Sequence, residues 1–166
     1  MATGDADRER VATLIEIADG RFPIPLLDDA GIRDLLRSAP RIAVIGASAN
    51  AIRPSLGVMR DLRRAGYDVV AVSPRETEID GQPCYPDLAA AVAATGPVDI
   101  VDVFRRSDLC VPHAEEAVAV GARCLWLQLG VVNWEAARIA AAAGLDVVMD
   151  RCTAIEHRRM RDSTGA

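Results

Sequence analysis

The hydrophobic positions of the chain settle into a regular rhythm at Arg41. From there, short apolar runs recur in "RIAVIG" (41–46), "YDVVAVSP" (67–74), "VDIVDVF" (98–104), "RCLWLQLG" (123–130) and "LDVVMD" (145–150). A strand with one wet face alternates apolar and polar residues. Most of these runs are continuous instead, which marks strands buried on both faces of a parallel sheet covered by helices. Between them lie stretches with helical spacing or helix punctuation: "SLGVMRDLRRAG" (55–66), stopped by Gly66; "CYPDLAAAVAATG" (84–96), with its helix starting near Asp87; "SDLCVPHAEEAVAVG" (107–121), its helix beginning after Ser107; "NWEAARIAAAAG" (133–144); and "TAIEHRRM" (153–160). Gly66 suits the residue just past a helix end. Upstream, "DDAGIRDLLRSA" (28–39) predicts a short amphipathic helix with Ile32, Leu35 and Leu36 facing inward.

Strands alternating with helices predict an α/β chain: a Rossmann-like, doubly wound, mostly parallel sheet of five to six strands with helices on both faces. Residues 28–166 form this single domain, and residues 1–27 are read as an N-terminal arm. In the arm, Val11, Leu14, Ile15 and Ala18 keep helical spacing, and the two prolines of "RFPIPLL" interrupt it.

Composition narrows the function classes. At 166 residues the chain can bury a substantial core, and its net charge of −5 argues against a general nucleic-acid or anionic-membrane binder. No apolar run reaches spanning length. The start, "MATGDADRER", is polar and acidic, unlike a secretory signal, so a cytoplasmic protein with reduced thiols is expected. Cys84, Cys110, Cys124 and Cys152 form no C-x-x-C pair and no common zinc spacing, so no metal site is expected.

In open parallel sheets, ligands bind outside the carboxyl ends of the strands, and candidate chemistry gathers there. After the first strand come Gly46, Ala47 and Ser48, then Arg53, Pro54 and Ser55 at a helix start. Gly46 permits a tight turn, the Ser48 hydroxyl and nearby amides suit a phosphate, and the helix N-terminus adds a favourable dipole. The plainer alternative is a simple turn capped by Ser55, with Arg53 in solvent. The second strand ends in Ser73, Pro74 and Arg75, where an NAD site would want an acid for the ribose hydroxyls. Arg75 instead suits the extra ribose phosphate of NADP or coenzyme A, or it belongs to a solvated loop with Glu76 and Glu78. The third strand ends in Phe104, Arg105 and Arg106, an aromatic wall with two cations, or a core residue with two wet arginines. Gln128 breaks an apolar run before Gly130 and therefore has a polar duty to a ligand or to its own loop.

"VIGAS…RPS", "GYDVVAVSP", "IDGQPCYPDL", "VDIVDVFRR", "WLQLG" and "VVMDRCTAIEH" resemble the standalone bacterial CoA-binding proteins. That family is similar to the CoA-binding domain of succinyl-CoA synthetase, and the resemblance runs from about Ala30 to Arg161. It implies a Rossmann-like sheet that binds coenzyme A or an acyl-CoA. Gly46, Ala47, Ser48, Arg53, Pro54 and Ser55 would match the glycine loop, and Ser73, Pro74 and Arg75 the adenosine end. Phe104 and Arg105 would lie along the pantetheine, with Gln128 and Gly130 in the last turn. Ser73 departs from the asparagine common there.

No catalytic residue is assigned. His113 and His157 show no pairing with a nucleophile, and the histidine-bearing second domain of the synthetase has no counterpart in this chain. Cys152, ahead of a helix that Thr153 can cap, could meet the ligand's thiol, with a helix N-terminus and Arg151 lowering its pKa; the plainer alternative, a buried structural cysteine, is the favoured one. The expected role is a non-catalytic binding, sensor or carrier protein. The alternatives are an NADP-dependent oxidoreductase, disfavoured by the missing G-x-G-x-x-G, and a regulatory partner subunit without ligand. A homodimer or a partner protein stays open.

Overall fold

The computed structural model describes residues 24–165, together with Arg8, Val11 and Ala12. Helix α1 (Asp29–Ser38) starts at Asp28, whose side chain accepts the Gly31 N–H at 2.7 Å. It turns Ile32, Leu35 and Leu36 inward, as its spacing predicts. Then follow β1 (Arg41–Ile45), α2 (Pro54–Arg64), β2 (Asp68–Val72), β3 (Glu78–Ile79), β4 (Gln82–Tyr85), α3 (Leu88–Thr95) and β5 (Ile100–Val103). A 3-10 turn (Ser107–Leu109) leads into α4 (Cys110–Ala119), followed by β6 (Cys124–Leu127), α5 (Trp134–Ala142), β7 (Asp146–Val148) and α6 (Thr153–Thr164).

The sheet has seven strands in the order β3-β4-β2-β1-β5-β6-β7. All neighbours are parallel except β3, which runs antiparallel to β4. This is the doubly wound Rossmann-like architecture, with one or two strands more than the apolar runs predict. The addition is the β3–β4 hairpin. It is short, and Glu78, Gln82 and Pro83 are exposed, so it carries no hydrophobic run. What makes it is a turn with Asp80 (φ 53) and Gly81 (φ 74) both left-handed, the backbone a two-residue hairpin requires.

Alternate residues of each central strand face opposite sides. Ala43, Ile45, Val101, Val103, Leu125 and Leu127 pack under α3, α4 and α5. Ile42, Val44, Ile100, Cys124, Trp126 and Val148 pack under α1, α2 and α6. Each fully buried large aliphatic side chain contributes about 2 kcal/mol relative to exposure. Just before the boundary drawn at residue 27, Ile24 joins the first layer, and the Leu27 N–H donates to Val147 O at 3.0 Å, so this stretch packs on the domain. Val11 and Ala12 are helical. Leu14, Ile15 and Ala18 of the predicted arm helix lie outside the described residues.

Trp126 is fully buried, and its indole Nε1–H donates to Arg151 O at 2.7 Å. That bond ties the end of β7 to the middle of β6 and so fixes where α6 begins. Trp126→Phe leaves the Arg151 carbonyl unsatisfied and a partial void behind, at a cost of about 2–3 kcal/mol. Urea denaturation followed through the remaining Trp134 measures it, and an unchanged midpoint would show that the bond does not hold this segment.

Candidate functional site

The chain begins its parallel sheet in the middle, at β1, builds outward to β2, then crosses back to β5. The ends of β1 and β5 therefore form the switch point, the place where sheets of this kind take their ligands. Gly46 has φ +80, and a Cβ there would stand 2.5 Å from the Phe104 carbonyl oxygen. The two strand ends can approach this closely only without a side chain at 46. The Arg105 side chain crosses the same spot, its Cδ 3.1 Å from that Cβ position.

After Gly46, Ala47 is buried beneath the loop and Ser48 accepts the Asn50 N–H at 3.1 Å. Asn50 in turn accepts from Ile52 at 3.0 Å, and Glu76 reaches over from the β2 side to accept the Ala49 N–H at 3.2 Å. The loop is thus held by its own short polar residues rather than by glycines. Arg53 is the N-cap of α2, exposed, and offers no side-chain cap; Pro54 follows as the first helical residue. Ser55 does not cap the helix as the plainer reading had it. It sits one residue inside, 1% exposed, with its Oγ buried and without a hydrogen-bond partner. Helices α1, α3 and α5 are capped by Asp28, Asp87 and Asn133, whereas α2 and α6 have no side-chain cap.

At the next strand end Ser73 is buried, and its Oγ accepts the Arg75 N–H at 3.2 Å, which turns Pro74 and Arg75 outward into solvent. Phe104 is half-buried against the layer under α2 and α6. The two arginines after it part company. Arg106 is held by Asp108 through bonds of 3.1 and 2.6 Å. Arg105 keeps a buried Nε with no partner. Ser48, Arg53, Ser55, Arg75, Phe104 and Arg105 therefore gather at the carboxyl ends of β1, β2 and β5.

The last turn is different. The Gly130 N–H donates to Asp150 Oδ1 at 2.6 Å, and Asp150 itself is left-handed with φ 58. Gln128 is buried, and its Nε2 donates inward to both oxygens of Asp102, at 2.9 and 3.0 Å. Thr153 Oγ1 donates to Asp102 Oδ2 at 2.8 Å and lies 2.9 Å from Gln128 Nε2. The polar duty of Gln128 is thus to a carboxylate hidden in β5. Asp102 was missed by the sequence reading; its only signal was an acid in an otherwise apolar strand. It is fully buried, and burial pushes its pKa up to about 7 despite the bonds from Gln128 and Thr153.

Cys152 is the half-buried N-cap residue of α6. Its thiol is pushed up, as the buried structural alternative has it and not down as for a reactive thiol: burial outweighs the opposing pull of the Ile155 and Ala154 amides. Arg151 turns its guanidinium to Asp29 at 2.7 Å and Glu156 at 3.6 Å. The histidines lie elsewhere, with His113 Nδ1 and His157 Nε2 buried and without a hydrogen-bond partner. His113 faces Glu116 at 3.6 Å, and His157 Nδ1 meets the Tyr67 hydroxyl at 3.0 Å.

With that geometry, comparison with known proteins is informative. Residues 40–158 match the family model described as a CoA binding domain. The chain belongs to this CoA-binding-domain family. Within it, the chain is 37% identical over 128 residues to the uncharacterized protein YneT of Bacillus subtilis (strain 168), covering 77% of this chain and 93% of that one. A hypothetical protein from Pyrococcus horikoshii OT3 shares the fold with a TM-score of 0.77 and 36% identity, over 81% of this chain and 93% of that one. A Thermus thermophilus protein does so with a TM-score of 0.75 and 37% identity, over 81% and 99%. Among the described residues, no helix of this family member is long and apolar enough to cross a membrane.

Two outcomes follow from the electrostatics. Folded Asp102 keeps its proton up to about pH 7, whereas an unfolded aspartic acid loses it near pH 4. Between those values the folded state holds the extra proton, so this group's stabilising contribution falls as pH rises from about 4 to about 7 and is level above. His113 and His157, both pushed below their usual value by burial, oppose that slope below about pH 6.5. Urea denaturation across this range should therefore show wild type losing stability relative to Asp102→Asn as pH rises; parallel profiles would mean the carboxyl is not shifted. Cys152 should alkylate slowly with iodoacetamide at neutral pH and speed up only in the alkaline range, read by intact mass. Fast neutral labelling would contradict its buried environment.

Proposed function

We propose that the chain binds coenzyme A or an acyl-CoA at the carboxyl ends of β1, β2 and β5, as a cytoplasmic binding, sensor or carrier protein rather than an enzyme. The observation that carries this reading is the Ser55 hydroxyl: buried, unpartnered and in the first turn of α2, two residues after the N-cap Arg53. A buried hydroxyl without a partner costs about 1–3 kcal/mol, a cost that persists where a ligand repays it. Phosphate oxygens, acceptors that favour a helix N-terminus, are suited to do so. In this reading Ser48, Arg53 and Ser55 hold the diphosphate, and Arg75, exposed beside buried Ser73, meets the 3′-phosphate. Phe104 and the unpartnered Nε of Arg105 border the pantetheine. Gln128 and Gly130 shape the floor of the last turn, and Cys152 stands near the thiol end. Leu129 and Ile155, 59% and 41% exposed, give an acyl group apolar neighbours there. Both NADP and coenzyme A carry a ribose phosphate for Arg75. The family membership and the loop without dinucleotide glycines favour coenzyme A.

Two variants separate this reading from a simple turn. Arg53→Ala should weaken coenzyme A binding by about tenfold to a hundredfold, the range of a charge-assisted contact. Ser55→Ala should stabilise the free protein by up to about 1 kcal/mol while weakening binding, because it removes an orphaned hydroxyl that only the ligand satisfies. Calorimetric titration with coenzyme A, dephospho-coenzyme A and NADP, beside urea melts of the free proteins, checks both. Equal affinity for the dephospho form removes Arg75 from the site, and tighter binding of NADP overturns the coenzyme A reading.

A further inference from the structure

Asp102 is the most unusual group in the described structure. It is an acid in the centre of a parallel sheet, opposite Val44 of β1 and Trp126 of β6, with no exposure. Its partners, Gln128 and Thr153, are neutral. Burying a carboxylate with neutral donors alone is expensive. A methyl-bearing residue in its place would spare that cost.

What the carboxylate joins is informative. Gln128 belongs to the turn after β6, and Thr153 is the first residue of α6. Asp102 therefore joins the turn after β6 to the start of α6, both at the carboxyl end of the sheet. The Thr153 hydroxyl has one proton. With Asp102 charged, Thr153 donates to Oδ2 and accepts from Gln128. With Oδ2 protonated and donating to Thr153 Oγ1, the Thr153 hydroxyl keeps its proton and rotates it away from the carboxyl. The network therefore has two hydrogen-bond arrangements, distinguished by one proton.

We propose that Asp102 is a positioning residue that couples ligand binding to proton uptake: an anionic ligand in the crevice favours the neutral arrangement of the Asp102–Gln128–Thr153 network, and the charged arrangement disfavours the ligand. The inference rests on the coenzyme A reading, which places several negative charges at this end of the sheet. A buried carboxylate answers to those charges because little water screens it. Its shift to about 7 puts the exchange at neutral pH. The surrounding elements carry other titratable and charged groups: Cys124 on β6, Cys152, Arg151, Glu156 and His157 at and before the start of α6, Asp29 on α1, and Arg53 before α2. Cys124 and Cys152 feel the Asp102 charge, and both thiols are pushed further up, so they stay neutral. Arg151 pairs with Asp29 and Glu156. His157 is pushed down and its Nδ1 faces Tyr67, while Arg53 is exposed.

The test is calorimetric titration with coenzyme A from about pH 6 to about pH 8.5 in buffers of different ionisation heat, which counts protons taken up. Wild type should take up a proton fraction near neutral pH and lose about tenfold in affinity toward the alkaline end, the change carried by a one-unit difference in proton affinity. Asp102→Asn should take up less and bind with a flatter profile; titration of the ligand phosphate is common to both proteins and cancels. Thr153→Val removes a donor to the carboxylate and should move the wild-type midpoint to higher pH, which keeps the test valid if Asp102→Asn folds poorly. Matching proton uptake and slopes in wild type and Asp102→Asn, or an unmoved midpoint in Thr153→Val, overturns the coupling and leaves the coenzyme A reading standing. Absence of coenzyme A binding at every pH overturns both.

Discussion

The close approach of two strand ends at Gly46 is the constraint on which the rest of the site depends. A side chain there would stand 2.5 Å from the Phe104 carbonyl oxygen, and the backbone is left-handed besides. Only glycine meets both conditions cheaply. Because β1 and β5 can close on each other, the Arg105 stem passes across the gap and the loop to α2 starts from a fixed point. Ser48, Arg53 and Ser55 inherit their positions from that start. A dinucleotide loop spends further glycines on letting backbone approach phosphate. This loop instead uses Ser48, Asn50 and Glu76 to hold its own amides, and leaves one hydroxyl without a partner.

The second organising feature lies under the surface of the crevice. Asp102, Gln128 and Thr153 form a buried polar contact between β5, the turn after β6 and α6. Trp126 adds a bond to Arg151 close by. The polar cluster thus specifies how α6 sits against the sheet, which apolar packing alone would leave free to slide. Such a cluster is costly where it is incompletely bonded, and its acid is raised accordingly. Stability is given up at the same end of the sheet where exposed arginines and unpartnered polar atoms lie.

Side-chain commitments divide the residues at this end into two kinds. Arg106 is locked to Asp108, Gly130 donates to Asp150, and Gln128 points down to Asp102. These hold loops in place. Arg53 and Arg75 point out to solvent, Arg105 keeps a free Nε, and Ser55 a free Oγ. The first two are open to a partner, and the last two are unsatisfied but sealed from solvent. Residue type alone does not draw that line, since Arg105 and Arg106 are neighbours of identical chemistry with different fates.

By itself the amino-acid sequence determined the layered α/β architecture, because a strand buried on both faces must be apolar throughout and a covering helix must repeat its apolar positions. It also determined that polar and cationic residues collect where the strands end, and the family resemblance was legible in those same residues. The β3–β4 hairpin was not legible, since a short edge hairpin rests on the left-handed turn at Asp80 and Gly81 and not on hydrophobic pattern. Nor was Asp102: the second of two acids in "VDIVDVF" shows no sign of burial until the fold brings Gln128 and Thr153 to it from 26 and 51 residues away. For Cys152 the sequence left a lowered and a buried thiol both open. A helix N-terminus is visible in sequence, but the burial that overrides it is produced by elements distant in the chain. Only the tertiary structure decides which polar groups are satisfied and which are left open, because satisfaction depends on distances between segments that the order of residues does not contain.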